Sequence, residues 1–212
     1  MCTLRLYPLL YTAICFLFAF NVACDEGGQA FAEQIRREVS HQPRHDTLPL
    51  GLHFGMTSVQ FFAHCREANQ AGHMRNGNGQ LVSYRVPVNQ LGAGLDIEFY
   101  PSVRRGQLIS LPGQVSHTAY SVFGTAYNAA AILPLVRSYF ETALDGDGNF
   151  ERVAADDEEI YVRRDGNRRL YLRVAPPQYV EFQFDDLSMA SDSVLLNLDL
   201  VHYVERDRYV LN

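Results

Sequence analysis

Three oxygen-bearing side chains at alternate positions of one short segment could bind a metal ion. Asp145, Asp147 and Asn149 match the first, third and fifth positions of a calcium-binding loop, whose oxygen ligands suit a hard cation. That loop needs glycine at its sixth position and glutamate at its twelfth, where this chain has Phe150 and Asp156. The segment is therefore predicted to be a polar turn between a helix and a strand, and no metal site is predicted.

Two histidine-containing pairs are further candidates for chemistry. His41 and His45 are four residues apart, but Pro43 between them breaks the helix on which they could share a metal, so an exposed linker is predicted. His64 and Cys65 are adjacent, and neighbours on a helix point about 100° apart, whereas a nucleophilic pair needs its side chains in contact. Cys65 is therefore predicted to be a buried, inert thiol.

Five arginines surround one predicted hairpin turn. Guanidinium groups can clamp carboxylates or phosphates, including those of lipid headgroups, so this cluster is the candidate contact for an anion or a partner. An acidic run at 156–159 precedes it, which leaves mutual pairing on a solvated surface as the alternative. Because strand residues alternate between two faces, at least one subset is expected to be exposed. The cluster consists of Arg163, Arg164, Arg168, Arg169 and Arg173.

Composition excludes several classes of function. All 18 basic residues are arginine, and without lysine the chain cannot perform Schiff-base, P-loop or Ser-Lys chemistry. The formal net charge of −6 argues against nucleic acid as a partner, because binding to phosphates needs a basic surface. No serine-hydrolase, zinc-protease or Cys-x-x-Cys motif is present, and no cofactor is predicted. Carboxylate pairs brought together from distant strands would not be visible in the sequence.

The N-terminal segment has the pattern of an export signal. Arg5 is followed by the uncharged, apolar stretch Leu6–Phe20 and then by smaller residues. Val22-Ala23-Cys24 resembles a bacterial lipobox, which implies cleavage after residue 23 and a diacylated thiol at Cys24. Plain secretion and an uncleaved single-span anchor are the alternatives. Residues 1–23 are predicted to be the signal peptide, and 24–47 a polar tether with a short helix at 29–39.

Two rounds of helix followed by strands are predicted in the rest of the chain. Thr57 and Gln60 form a capping box that begins a helix, and Gly72 is placed to end it. Pro134 is placed in the first turn of a second helix, which continues to about Leu144. The strands expected in the first round are 81–86, 95–100 and 107–111, with 115–117 either extending the last of these or following it. Those expected in the second round are 150–154, 159–164, 168–175 and 179–184, with Asp165-Gly166-Asn167 as a tight hairpin turn and a final strand after 194.

The fold class predicted from this order is α+β: two successive helix-plus-antiparallel-meander units packed as one globule. The first unit covers 48–120 and the second covers 121–212. The two units share the order of their elements but no obvious residue identity, so an internal duplication is only a hypothesis.

A short motif supports this interpretation by resemblance. Gly55-Met56-Thr57-Ser58-Val59-Gln60 resembles the helix opening of small envelope lipoproteins of the SmpA/BamE type. That resemblance implies helices packed on an antiparallel sheet, related in shape to β-lactamase inhibitor proteins. A later stretch is similar to exported bacterial proteins of unknown function, which implies a fold and a location without an activity; it comprises Asp165-Gly166-Asn167-Arg168-Arg169 and Phe184-Asp185-Asp186-Leu187.

The function predicted from these observations is a non-catalytic, lipid-anchored protein of the cell envelope or periplasm. Its expected partners are the membrane, through Cys24, and an envelope protein, through the sheet or the arginine hairpin. The alternative is a small-ligand-binding protein or hydrolase with a cleft between the two units. A deep pocket with converging His, Asp or Glu side chains would favour that alternative.

Overall fold

The structure is a computed structural model, and it describes residues 29–77, 81–88, 94–155, 158–191 and 194–195. The helices described are α1 (29–40), α2 (Ser58–Gln70) and α3 (Ala129–Ala143). The strands are β1 (Met74–Asn76), β2 (Val82–Val86), β3 (Leu95–Phe99), β4 (Ser102–Arg104), β5 (Gln107–His117), β6 (Glu151–Ala155), β7 (Glu158–Asp165), β8 (Arg168–Ala175) and β9 (Tyr179–Asp186). The prediction of a mixed α+β fold is confirmed.

Side-chain caps fix where two of the helices begin. The Thr57 hydroxyl accepts the backbone N–H of Gln60 at 3.2 Å, and the Gln60 side chain accepts the backbone N–H of Thr57 at 2.8 Å. The predicted capping box is therefore confirmed. Helix α3 begins earlier than predicted, because the Asn128 side chain accepts the N–H of Ala131 at 2.9 Å and a run of alanines follows. Pro134 consequently lies inside the helix.

All nine strands form one antiparallel sheet, in the order β1-β2-β3-β5-β9-β8-β7-β6, with the short β4 paired to β5. Strands of the first half thus join strands of the second half along β5 and β9, where Leu111 pairs with Phe184 and Val115 with Val180. The Asp165-Gly166-Asn167 turn and the turn at Pro176-Pro177 connect β7 to β8 and β8 to β9, as predicted.

Two short strands were not predicted, and β5 shows that 115–117 extends the strand predicted at 107–111 and does not form a separate one. β1 and β4 have three residues each, too few for a pattern of alternation. β5 continues through Pro112 and Gly113, which ordinarily interrupt a strand. A Cβ at Gly113 would lie 2.4 Å from the Phe182 ring, so glycine lets β9 approach closely here. The strand predicted after 194 lies outside the described residues, except for Val194 and Leu195, which are helical.

The two faces of the sheet differ in chemistry. The pairing register places Ile97, Val115 and Phe182 on one face, where α2 and α3 cover them and the core forms. The other face carries polar side chains such as Asp96 and Glu181, paired with arginines of neighbouring strands. Helix α1 packs its small and apolar side chains against a separate cluster that includes Leu187, Ala190 and Leu195.

Candidate functional site

The end of the β7–β8 hairpin brings together a buried network of ionic side chains. Asp165 is at its centre: its Oδ2 accepts Arg163 Nε at 2.9 Å and Arg168 Nη2 at 3.0 Å. Its Oδ1 accepts the backbone N–H of Gly148 at 2.8 Å. Burial by itself raises the pKa of Asp165, but these hydrogen bonds and the arginine charges outweigh it, so the pKa lies below its usual value.

Arg168 is the most deeply buried arginine of this network, and its two terminal nitrogens donate to several groups, whereas its Nε has no partner among the described residues. Its guanidinium donates to the Thr47 carbonyl and to Asp145 Oδ1, both at 2.6 Å, and also to the Asp145 carbonyl. Only 1% of its side chain is exposed to solvent. A guanidinium so deeply buried requires compensating carboxylates and carbonyl groups. The loop before β6 supplies the carboxylate and the carbonyl of Asp145, and the segment that ends at Thr47 supplies a further carbonyl.

The segment 43–47 closes over the hairpin. Asn167 Oδ1 accepts the backbone N–H of His45 at 2.6 Å, and Asn167 Nδ2 donates to Asp46 at 3.2 Å and to Asp186 at 3.1 Å. Arg44 donates to both of these aspartates, at 2.7 and 3.0 Å. Residues 41–44 are exposed, as predicted for this linker, but His45 and Asp46 are partly buried because the segment is held by hydrogen bonds to the hairpin. The name hairpin cluster is used below for Arg44, Asp46, Asp145, Arg163, Asp165, Asn167, Arg168 and Asp186.

The segment that resembles a calcium loop is part of the hairpin cluster. Arg168 engages the Asp145 carboxylate, which lowers the pKa of Asp145 against the opposing effect of partial burial. Asp147 and Asn149 are exposed. A Cβ at Gly146 would lie 2.3 Å from Asp165 Oδ1, so only glycine allows the loop to pass this carboxylate. The segment is a polar turn, as predicted, and its structural role is to neutralise Arg168.

The five predicted contact arginines lie in three environments. Arg163 and Arg168 are in the hairpin cluster, on the helix-covered face. Arg169, on the other face, is 7% exposed and donates to Asp185 at 2.9 Å, and Arg173 donates to Glu181 at 2.6 Å. Arg164 is the most exposed of the five, with 36% of its side chain accessible and Glu38 at 4.0 Å.

The arginine set therefore does not form one surface for an anion or a partner. Arg168 does not belong to the exposed subset, because the N-terminal segment and the loop at 145–148 cover it. Mutual pairing was the alternative, but the pairing acids are not those of the adjacent acidic run. Asp165 is part of the hairpin itself, and the other pairing acids are Glu38 of α1, Asp145 of the loop before β6, and Glu181 and Asp185 of β9. Two acids in succession at the end of β9, Asp185 and Asp186, were the signal in the sequence.

The other two chemistry-bearing pairs have structural roles. Cys65 is 8% exposed, and burial raises the pKa of its thiol to about 11, which confirms the predicted inert environment. His64 shares a hydrogen bond of 2.8 Å with the carbonyl of Leu50, which has a positive φ of 66°. His64 thus supports a strained turn and does not contact the thiol. His41 lies against the carbonyl of Arg37 at 2.6 Å, at the end of α1.

An open groove lies between α2 and the edge strand β1. It has a volume of about 370 Å³ and mixed polar and apolar walls. β1 is the outermost strand on this side of the sheet, and β2 occupies only one of its two edges. This α2–β1 groove is lined by Phe62, Cys65, Arg66, Asn69, Met74, Arg75, Asn76, Leu81 and Val82.

A small apolar void lies in the interior between the two halves of the sheet. Its volume is about 10 Å³, and its walls include Ile97, Phe140 and Phe182. The alternative of a hydrolase or small-ligand binder needs a cleft here. Among the described residues, no group of His, Cys, Asp or Glu side chains is arranged to hold a metal ion. None of the described helices is both long and apolar enough to cross a membrane.

The predicted lipidation site, Cys24, lies outside the described residues, as does the leader that precedes it. Comparison with known proteins adds no relative: no family model, no curated protein and no solved structure matches this chain. The resemblance to SmpA/BamE-type lipoproteins stays a prediction.

Proposed function

We propose that this protein is a non-catalytic, lipid-anchored module of the cell envelope that binds an extended segment of another protein in the α2–β1 groove. The observation that carries this proposal is an open groove of about 370 Å³ whose floor borders an unpaired strand edge. An edge strand offers backbone donors and acceptors to an incoming strand, and a neighbouring groove selects its side chains.

The chemistry of the groove favours an acidic segment with an apolar side chain. Arg66 and Arg75 line the groove, and its described lining contains no carboxylate. Arg75 is already paired with Asp96 at 2.8 Å, so Arg66 is the arginine that would bind an acidic segment. Phe62 and Met74 provide apolar contacts beside them. Guanidinium groups bind carboxylates in a fixed, two-pronged geometry, so charge sets the register and the apolar contacts contribute affinity. No observation on the described residues favours a small-molecule ligand or a hydrolytic reaction over this.

Site-specific photocrosslinking in intact cells tests the groove. A photoreactive amino acid replaces Asn69, which lines the groove, and in a separate variant it replaces the exposed Glu141 on α3. The Asn69 variant is expected to form one discrete adduct, identified by mass spectrometry, whose crosslinked segment is extended and acidic. Adding Arg66→Glu is expected to abolish the adduct, because it reverses the charge of the groove.

Two results would contradict this proposal. Identical adducts from the Asn69 and Glu141 variants would mean that the crosslinks are unspecific. A discrete Asn69 adduct that persists with Arg66→Glu, at unchanged protein level, would mean that charge does not select the partner.

Attachment to a membrane is the second part of the proposal. It is supported by the apolar stretch Leu6–Phe20 and by Val22-Ala23-Cys24 at its end. Mass spectrometry of membrane-extracted protein should find a diacylglyceryl group on Cys24, and Cys24→Ala should release the protein or block its processing. Recovery of mature protein that still begins with Met1 would exclude the lipid anchor.

The arrangement as two successive units is also proposed. In each half a helix precedes four strands that are neighbours in the sheet, β1-β2-β3-β5 and β6-β7-β8-β9, and the first half has the short β4 in addition. The last strands of the two halves, β5 and β9, are neighbours. An experimental structure in which α2 and its strands superpose on α3 and its strands, in the same order, would support duplication. Superposition only after reordering the strands would argue against it.

A further inference from the structure

Three loops at one end of the sheet contain no charged residue. They are the connection from β2 to β3, the loop from β5 to α3, and the turn from β8 to β9. Charged residues make up 20% of the chain, and between Arg105 and Arg137 there is none. The described residues of these loops, 87–88, 94, 118–128 and 176–178, are called the uncharged rim below.

Hydrogen bonds hold the three loops side by side. The backbone N–H of Thr118 donates to the carbonyl of Gly94 at 3.0 Å, which joins the loop after β5 to the residue before β3. The backbone N–H of Ala129 donates to the carbonyl of Pro177 at 3.0 Å, which joins the same loop to the turn after β8. The uncharged rim is therefore one continuous surface.

Large apolar side chains protrude from this surface. Phe123 is 97% exposed and Val122 is 75% exposed, side by side at the tip of the loop after β5. Val88 on the neighbouring connection is 61% exposed, and Tyr127 is 42% exposed. Scattered apolar residues are normal on a protein surface, but a phenylalanine and a valine at a protruding tip indicate contact with an apolar phase or a partner.

The base of the protruding loop is fixed by packing. The rings of His117 and Tyr127 are stacked at 3.9 Å with an angle of 10° between their planes. His117 Nδ1 accepts the backbone N–H of Ala119 at 3.0 Å. Burial lowers the pKa of His117, so its ring adds no charge to the rim at neutral pH. A fixed base presents the tip without a large loss of chain entropy on binding.

The opposite end of the sheet has a contrasting composition. It carries the hairpin cluster and, on the β4–β5 turn, Arg104 and Arg105. Charged strand residues next to the rim are paired on the polar face: Arg85 with Asp96 at 2.9 Å and Arg173 with Glu181 at 2.6 Å. Three adjoining loops at this end of the sheet have no charge, whereas β7, beyond β8, begins at the same end with Glu158 and Glu159.

We infer that the uncharged rim inserts shallowly into the interfacial region of a phospholipid bilayer, with Val122 and Phe123 at its deepest point. A bilayer accepts a convex tip without a complementary pocket, whereas a protein partner would have to enclose a side chain that is 97% exposed. Loops that enter the interface need apolar and tyrosine side chains and no charges, and this surface has that composition. The inference goes beyond the groove function and requires only that the protein meets a membrane.

A tryptophan introduced at the rim can report its environment, because the chain has no tryptophan. Val122→Trp places the probe at the tip. Val59→Trp is the matched control: Val59 is 79% exposed on α2, whose first turn adjoins the start of β5, at the charged end of the sheet. The full chain, exported and processed by its host, is reconstituted in phosphatidylcholine vesicles with and without brominated acyl chains.

The Val122→Trp variant is expected to emit at shorter wavelength in vesicles and to lose most of its fluorescence to brominated lipid. The Val59→Trp variant should retain its emission, although the same anchor holds it at the membrane. Equal quenching of both variants, or of neither, would overturn the inference. Phe123→Trp with Val122→Asp provides a second test, since a charge at the tip should remove the quenching. Persistent quenching in that variant would also overturn it.

The quenching result depends neither on whether the groove binds a partner nor on whether Cys24 carries a lipid. An unquenched probe at the tip whose emission responds instead to a bound protein would assign the rim to a protein partner. If Cys24 carries no lipid, the same probes can be read after vesicles are added to the exported protein. A failed groove crosslink leaves the quenching result unaffected.

Discussion

Asp165→Asn is expected to destabilise the protein more than any surface substitution on the same hairpin. Asparagine preserves the volume of the side chain but removes the negative charge that two buried guanidinium groups share, at 2.9 and 3.0 Å. The amide N–H₂ of the asparagine would also point at the guanidinium N–H groups, so that hydrogen-bond donors would face donors. The side chains of Arg163, Asp165 and Arg168 are between 1% and 3% exposed, so solvent cannot replace the lost carboxylate.

The expected magnitude follows from the degree of burial. Removing one partner from a buried ion pair costs about 3–5 kcal/mol, because the other charge is left uncompensated. Domains have a free energy of unfolding of about 5–15 kcal/mol, so this is a large share of the total. For a domain of this size the melting temperature should fall by about 6–20 °C.

Thermal and urea unfolding followed by circular dichroism measure this effect, with Arg164→Gln as the matched control. Arg164 is on the same hairpin, but it is 36% exposed and 4.0 Å from its acidic partner, so a change of at most about 0.5 kcal/mol is expected. A second variant tests the mechanism. Combining Asp165→Asn with Arg163→Met removes an uncompensated charge and should recover part of the lost stability.

The pH dependence of stability gives an independent check. The pKa of Asp165 is below its usual value in the folded protein, so its contribution is complete above about pH 4. It is lost as the pH falls through the folded pKa, and Asp165→Asn should lack this component of acid unfolding. If Asp165→Asn melts within experimental error of Arg164→Gln at pH 7, the hairpin cluster does not stabilise the fold as argued.

The remaining predictions concern two other close contacts. Gly166→Ala should cost about 1–3 kcal/mol in urea unfolding, because φ is +53° and the new Cβ would lie 2.0 Å from the carbonyl oxygen of Pro43. Gly124→Ala, where a Cβ meets nothing within 4 Å, should be nearly neutral, and equal effects of the two would refute this explanation. Cys65→Ala should cost about 1–2 kcal/mol as a small cavity. Because burial raises the pKa of Cys65 to about 11, a bulky thiol reagent should label it slowly in native protein at pH 8, and rapid labelling in peptide maps would contradict its burial.

Local structure was predictable wherever a few adjacent residues decide it. The Thr57 and Gln60 capping box depends on two side chains one turn apart, and the Asp165-Gly166-Asn167 turn depends on backbone conformations that glycine adopts readily. Most strands were predicted because polar and apolar residues alternate along them. The start of α3 was misplaced because Pro134 was taken as a start signal, although Asn128 and the alanines after it begin the helix.

The candidate sites depended on contacts between distant parts of the chain. Nothing near Arg168 in the sequence indicates that Asp145 and the carbonyl of Thr47 neutralise it, 23 and 121 residues away. An arginine beside a hairpin turn has the same local sequence whether it is exposed or covered. Its burial depends on where another segment of the chain docks, and alternation along one strand carries no information about that.

The sequence by itself determined the mixed α+β class, the absence of lysine and tryptophan, and the pattern of an export leader, because composition and short-range periodicity are enough for these. Only the tertiary structure decided that β5 and β9 join the two halves into one sheet, since pairing between strands distant in sequence is set by packing of whole faces. The same pairing places three uncharged loops at one end and the hairpin cluster at the other. That polarity arises because antiparallel strands return alternate connections to the same end of a sheet, which brings together loops that are far apart in the sequence.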